Sequence, residues 1–260
     1  MLRKLLSITI SSVLVMGILA GCGGAQTATA RVKKSGVLRV GLEGTYPPFN
    51  YVDEQKQMVG FDVDVSKEIA RRLGAKAEFV GSEWKALIGG LQADKFDVII
   101  AQMSITDERK KSVDFTDAYV LSGAVLIAKK GDSRFKKLDD IKGFKVGVGL
   151  GTTFETLAKS VTGAEVKSYD SFDQYAQELV NGRVDVIVND QLLAAYAIKK
   201  GQLPIAIASP VLSEDRIGIA VKKGNPDLVS QVNKSLTDMK TDGTYKKIFM
   251  QWFGVEPALK

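Results

Sequence analysis

Val98-Ile99-Ile100-Ala101 is an unbroken apolar run, with no polar alternation to give it a solvated face. Such a run suits a strand covered on both faces, as strands of parallel sheets are. It passes at once into Gln102-Met103-Ser104-Ile105-Thr106-Asp107-Glu108-Arg109. Thr106 stands where a helix N-cap belongs, with Arg109 three residues on and Lys110, Lys111 and Asp114 beyond it. A buried strand that turns directly into a helix leaves free backbone N–H groups at the turn. Those groups attract anions, and a neighbouring guanidinium grips a carboxylate with two parallel bonds. Taken alone, the stretch suits equally well an ordinary junction whose Arg109 makes a surface ion pair.

The pattern recurs along the chain. A strand over residues 37–41 enters Glu43-Gly44-Thr45-Tyr46-Pro47-Pro48-Phe49, where successive prolines exclude helix and stiffen the loop. Glu43 and Tyr46 can face one cleft from there; alternatively Tyr46 joins Phe49 in plugging the core. Val65, Ile69, Ala70 and Leu73 predict a helix over 63–73, stopped by Gly74. A strand at 77–80 leads to Trp84, either a cleft wall or a core tryptophan, and to a helix over 85–93. With the strand at 98–101 this gives the βαβαβ order of an open parallel sheet. A long apolar strand is expected over 120–129, and Val146-Gly147-Val148-Gly149-Leu150-Gly151-Thr152-Thr153 begins the sequence again, with a helix over 154–161. Its glycines do not fall at dinucleotide-fingerprint offsets. Thr152-Thr153 reads instead as a cap, either structural or with its N–H groups facing an anion. A strand at 166–169, a helix over 171–181 and a buried strand over 184–190 follow. That strand ends in Asp190, a partner for an ammonium group or the cap of the helix over 191–199. Strands at 205–209 and 216–222, a helix over 227–241 and another from 243 complete the pattern.

Residues 1–21 read as an address: Arg3 and Lys4 precede an apolar stretch too short and too serine-interrupted to span a membrane comfortably. The stretch ends in Leu19-Ala20-Gly21-Cys22, which resembles the lipobox of bacterial lipoproteins and implies cleavage before Cys22 and a diacylglyceryl group on its sulfur. A plain secretory signal is the alternative. Residues 22–35 are expected to be a lipidated cysteine and flexible tether that holds the protein to a membrane surface. Cys22 is the single cysteine and histidine is absent, so an internal disulfide, most transition-metal sites and Ser/His or Cys/His catalysis are excluded. No cofactor or metal is expected. The net charge of +6 falls to +4 once Arg3 and Lys4 are removed, and the lysines are dispersed. A nucleic-acid partner would want a clustered basic stripe, and there is none.

Two α/β units therefore stand side by side. The expected division is a first lobe of 36–118 and 218–260, a second of 124–212, and a hinge of 119–123 and 213–217. Ligands bind outside the carboxyl ends of such strands. The corners there offer Ser104, Arg109 and Thr153 to a carboxylate, Asp190 to an ammonium, and Tyr46 and Trp84 as aromatic walls. That set describes an α-amino acid.

Residues 41–49, Gly60-Phe61-Asp62-Val63-Asp64, residues 104–109, 148–153 and 185–190, and Gly243-Thr244-Tyr245 with Trp252-Phe253-Gly254 span nearly all of the mature length. On these stretches the chain resembles the family 3 extracellular solute-binding proteins, the amino-acid receptors of ABC importers. The resemblance implies a two-lobed type II periplasmic-binding-protein fold, with two open α/β sheets joined by a two-strand hinge. It implies Arg109 and the Ser104 and Thr153 amides on the α-carboxylate, and Asp190 with the Gln102 carbonyl on the α-amino group. It further implies a monomer that delivers its solute to an ABC permease, outside the cytoplasmic membrane or in a periplasm. Residues 43–49, Trp84, Gln102 and residues 146–152 are most similar to cystine-binding members. Glu43 would then answer the second ammonium of cystine and the aromatic pair would wall its disulfide; Ser104-Ile105-Thr106 does not discriminate. The same Glu43, Tyr46 and Trp84 suit the cationic end of lysine or arginine, and glutamine is a third choice. An enzyme is not expected: a dehydratase-like relative would need a general acid in the pocket and need not keep the amino-acid grips. Nor is a signalling sensor, since neither a transmembrane nor an effector segment follows Gly254.

Overall fold

The structure, a computed structural model, describes residues 27–201 and 203–258. The expected signal segment and the lipidation site at Cys22 lie outside these residues. Helix α1 (Ala28–Ser35) leads into β1 (Val37–Leu42). A small antiparallel sheet follows, built of β2 (Thr45–Tyr46), β3 (Asn50–Val52) and β4 (Met58–Val59). Next come α2 (Phe61–Arg72), β5 (Lys76–Gly81), a 3-10 turn at Trp84–Ala86 continuing into α3 (Leu87–Gln92), β6 (Val98–Ile99) and α4 (Asp107–Lys110). Strand β7 (Val113–Lys129) then runs for 17 residues. Beyond it lie β8 (Lys145–Gly149), α5 (Thr153–Lys159), β9 (Glu165–Tyr169), α6 (Phe172–Val180), β10 (Val186–Asp190), α7 (Gln191–Lys200) and β11 (Ile205–Ile207). The chain closes with β12 (Ser213–Lys222), α8 (Pro226–Thr241) and α9 (Thr244–Phe253).

The strand order is β5-β1-β6-β12-β7-β10-β8-β9, with β11 beside β7. Parallel pairing joins β5, β1 and β6 on one side and β10, β8 and β9 on the other. Between them β7 and β12 pair antiparallel from Ala124 opposite Ser213 to Val113 opposite Lys222. The two open sheets thus share one long ribbon and form a continuous hydrogen-bonded surface. Residues 119–123 and 213–217, expected as linking segments, lie inside these strands. The ribbon register slips on either side of Gly218. A Cβ there would stand 2.8 Å from Ile105 Cδ1 and 3.0 Å from Phe115 Cδ1, so glycine lets the 103–105 corner close on the slip. The Gly218 N–H donates to the Met103 carbonyl and the Ile105 N–H to that of Arg216, at 3.0 and 2.8 Å.

Apolar strands buried on both faces need cover, and the helices supply it. Phe61 packs against Tyr119, Tyr245, Phe249 and Phe253 with ring centroids 5.2–6.2 Å apart. Around β8 and β10, Val146, Val148, Val186 and Val188 pack with Phe135, Ile141 and Phe154. The tether reading of residues 22–35 needs correction in its second half. Thr27 caps α1, Gly36 ends it at φ 67°, and Ala28 and Val32 are buried. The Ala28 N–H also donates to Asn225 Oδ1 beside α8, at 2.8 Å. Tertiary burial stabilises a helix that is too short and too poor in apolar residues to announce itself. Strand β7 likewise begins seven residues before the apolar run that predicted it, because pairing with β12 carries the polar residue Asp114 into the ladder, and the Thr116 hydroxyl accepts from the Ile219 N–H of β12.

Candidate functional site

The strand ends and helix starts of both halves converge on a cleft whose space, open solvent included, is roughly 510 Å³. Glu43, Tyr46, Trp84, Gln102, Ser104, Arg109 and Thr153 line it; Asp190 does not.

Glu43 follows β1. Its backbone N–H and that of Gly44 both donate to Asn50 Oδ1, at 3.2 and 3.0 Å, which fixes the turn. Burial, with a smaller push from the Asp62 charge, raises its carboxyl to about 7. Tyr46 stacks on Phe49 and donates its hydroxyl across the cleft to Asn189 Oδ1 at 2.8 Å. Trp84 opens the 3-10 turn and donates Nε1 to the Gly151 carbonyl at 3.2 Å. Gln102 adopts the left-handed region at φ 56°, an unusual backbone for a residue other than glycine.

Helix α4 is a single turn, capped as the sequence suggests: Thr106 Oγ1 accepts from the Arg109 N–H at 3.1 Å. The Arg109 guanidinium lies 5.2 Å above the Trp84 ring. It donates Nη1 to the Ser104 carbonyl at 2.9 Å and Nη2 to the Gly151 carbonyl at 3.3 Å. Neither acceptor is a charge. Burial lowers the Arg109 pKa, and Asp215, the opposing acidic group, raises it through space. At α5, Thr152 is the N-cap, accepting from the Glu155 N–H at 3.2 Å, so the free N–H groups of that helix start beside Thr153. Thr153 Oγ1 lies 3.2 Å from Ser104 Oγ, which donates to Asp215 Oδ2 at 2.7 Å.

Asp190 takes the capping alternative. Its Oδ1 accepts from the Leu192 and Leu193 N–H groups at 2.7 and 3.1 Å, and it is 4% exposed. Its neighbour Asn189 reaches the cleft instead, because successive strand residues point to opposite faces. Burial raises the Asp190 carboxyl to about 6. Asn189, Tyr175, Phe172 and Asp215 are participants that the sequence reading did not name. The strand alternation alone contained a signal for Asn189.

Among the described residues, Arg109 is the single basic side chain on the wall, against Glu43 and Asp170, with Asp215 hydrogen-bonded behind Ser104. Such a cleft suits a zwitterion: a carboxylate at Arg109 and the start of α5, and cationic groups toward the carboxylates. Among the described residues, no group of three or more acidic, histidine or cysteine side chains is placed to hold a metal ion. No helix among them is long and apolar enough to cross a membrane.

The family model for bacterial extracellular solute-binding proteins, family 3, matches residues 38–255. The chain belongs to this family. Among relatives of this solute-binding protein, the L-cystine-binding protein TcyJ of Escherichia coli (strain K12) is 40% identical over 228 residues, covering 87% of this chain and 86% of the relative. The L-cystine-binding protein TcyA of Bacillus subtilis (strain 168) is 38% identical over 227 residues, covering 86% and 84%. A solved ancestral arginine-binding protein bound to arginine superposes with a TM-score of 0.81 at 47% identity, covering 84% of this chain and 99% of that one. The two-lobed type II periplasmic-binding-protein fold expected from the resemblance is the fold of this family member.

Proposed function

We propose that this solute-binding protein captures a polar L-amino acid, L-cystine in the first instance, and delivers it to the permease of an ABC importer. The observation that carries the reading is Arg109: a half-buried cation that spends its protein bonds on carbonyls, beside the start of α5 in a cleft that Glu43 also lines. A partly desolvated cation with no bonded anion among the described residues is costly, and a ligand carboxylate relieves that cost. Arg109, with the Ser104 and Thr153 groups, takes the α-carboxylate; the Gln102 carbonyl takes the α-amino group, with the charge of Asp190 behind the wall. Glu43 answers the distal ammonium, and Tyr46 and Trp84 enclose the disulfide. The cystine-binding relatives support this choice. The ligand bridges a lobe of 36–118 and 218–260 to one of 124–212, and closure about 119–123 and 213–217 presents the loaded shape to the permease. The protein acts as a monomer without chemistry or cofactor, anchored through Cys22 outside the cytoplasmic membrane.

The arginine-bound relative supports a second reading, in which Glu43, Tyr46 and Trp84 hold a cationic side chain. Glutamine ranks third, supported by a solved ancestral arginine-binding protein bound to glutamine. Calorimetric titration of refolded, ligand-stripped protein with cystine, cysteine, arginine, lysine, histidine and glutamine tests the assignment. Tight binding of cystine alone is the expected result. Preference for arginine or lysine would replace the ligand and keep the grip, and silence across the panel would overturn the amino-acid reading.

A further inference from the structure

Asp62 lies outside the cleft wall and is fully buried at the start of α2. Three donors converge on its carboxylate: Asn50 Nδ2 at 2.9 Å, Gln102 Nε2 at 2.7 Å and the Tyr119 hydroxyl at 2.8 Å. The Tyr119 oxygen in turn accepts from the Gln102 backbone N–H and Nε2, at 3.3 and 3.1 Å. A carboxylate, which only accepts, satisfies all three donors with its two oxygens. The consequence reaches the cleft through the two amides. With Nδ2 committed to Asp62, Asn50 must turn Oδ1 toward the Glu43 and Gly44 N–H groups, which is the bond pair that sets the Glu43 turn. With Nε2 committed, Gln102 keeps Oε1 as the end of its amide that no hydrogen bond among the described residues takes up.

We propose that Asp62 is a positioning residue for ligand recognition: by fixing which end of the Asn50 and Gln102 amides faces inward, it aims Glu43 and offers an acceptor oxygen to a ligand ammonium. The ammonium part rests on the amino-acid reading above; the orientation of the two amides does not. The buried carboxylate also joins the cleft to the shared ribbon, since Tyr119 belongs to β7 and its carbonyl accepts from the Tyr245 hydroxyl.

Asp62→Asn is nearly isosteric but replaces one acceptor oxygen by a donor, so at least one of the three bonds is lost and the Asn50 amide is free to flip. Asp97→Asn is the comparator, another buried carboxylate (2% exposed) that binds Arg31 and Arg39 away from the cleft. Two readouts are needed: calorimetric Kd for the amino acid that the wild type binds, and hydrogen exchange at the Glu43 and Gly44 amides. Asp62→Asn is expected to weaken binding at least tenfold and speed exchange at both amides, whereas Asp97→Asn lowers the Tm and leaves both within twofold. If Asp62→Asn does not fold, Tyr119→Phe, which removes one donor, is expected to weaken binding by a smaller factor. A folded Asp62→Asn protein with wild-type affinity and exchange would overturn the proposal, as would wild-type behaviour of Tyr119→Phe should Asp62→Asn fail to fold. A wild type that binds no amino acid, with faster exchange in Asp62→Asn, would remove the ligand reading and leave the positioning intact.

Discussion

Replacing Arg109 by methionine separates its role in binding from its role in the fold. Methionine keeps an unbranched apolar stem against Trp84 and removes the guanidinium. The protein loses two bonds from a charged donor to carbonyls, Ser104 at 2.9 Å and Gly151 at 3.3 Å, which together contribute about 3–6 kcal/mol. It also sheds the desolvation cost that lowers the Arg109 pKa, an opposing term of similar order. The stability of the ligand-free protein therefore changes little. Binding does not enjoy that cancellation. Removing one partner of a buried charge pair costs about 3–5 kcal/mol, and the start of α5 with the Ser104 and Thr153 hydroxyls retains part of the carboxylate's stabilisation. A net loss of about 3 kcal/mol weakens the Kd by roughly two orders of magnitude. Arg109→Lys restores the charge without the two-pronged geometry and is expected to fall between the two. Titration calorimetry on ligand-stripped protein reads the affinity, and thermal unfolding without ligand reads the stability. An Arg109→Met affinity within threefold of wild type would refute the carboxylate grip.

Glu43 gives a pH signature. Its carboxyl is raised from 4.5 to about 7, so the folded state holds the proton more tightly than the unfolded chain. The associated stability is full below 4.5 and is lost as pH rises through about 7. Glu43→Gln is expected to flatten that part of the Tm profile, leaving Asp62 and Asp190, raised from 3.8 to about 6, to shape the more acidic part. A ligand ammonium beside Glu43 expels its proton, so binding heats near pH 7 should vary with the ionisation enthalpy of the buffer in wild type and lose that component in Glu43→Gln; buffer-independent wild-type heats would contradict the contact. Two glycines test the backbone. Gly60 has φ 137° and a Cβ there would lie 2.1 Å from the Phe49 carbonyl oxygen, so Gly60→Ala is expected to cost about 3 kcal/mol or more in urea unfolding. Gly36, at φ 67° with open space around it, should lose about 1–2 kcal/mol on the same change, and equal losses at the two positions would show that collision is not what constrains Gly60.

The alternation of buried strand, polar corner and helix was legible because each unit is local: Val98 and Ile99 form a strand, and Thr106 and Thr152 cap the helices their spacing suggests. What the sequence hid depends on partners far along the chain. Asp215 sits in the charged run Glu214-Asp215-Arg216 and looks like surface until β12 brings it 2.7 Å from Ser104, 111 positions away. Helix α1 is invisible without α8 to cover it. Asn189 and Asp190 illustrate a finer limit. Both readings of Asp190 were open, and only the face that β10 turns to the cleft decides that the amide lines the wall while the carboxylate caps α7. Asp62 stands in the recognisable stretch 60–64, but its three donors come from β3, from the corner after β6, and from β7, and no spacing rule connects them.

The shared ribbon also sets an order of completion during synthesis. Strands β8 to β11 and helices α5 to α7 come from one uninterrupted segment, which needs from the earlier chain only the distal part of β7. Strands β1, β5 and β6, although made first, have an open sheet edge until β12 arrives, and Phe61 has Tyr119 but lacks the cover of Tyr245, Phe249 and Phe253 until these are made. On a chain emitted from its N-terminus, the half encoded in the middle can close before the half encoded first. The earliest residues then wait, with apolar strands exposed, for the last two helices, and that interval is when the nascent protein is most open to wrong pairing.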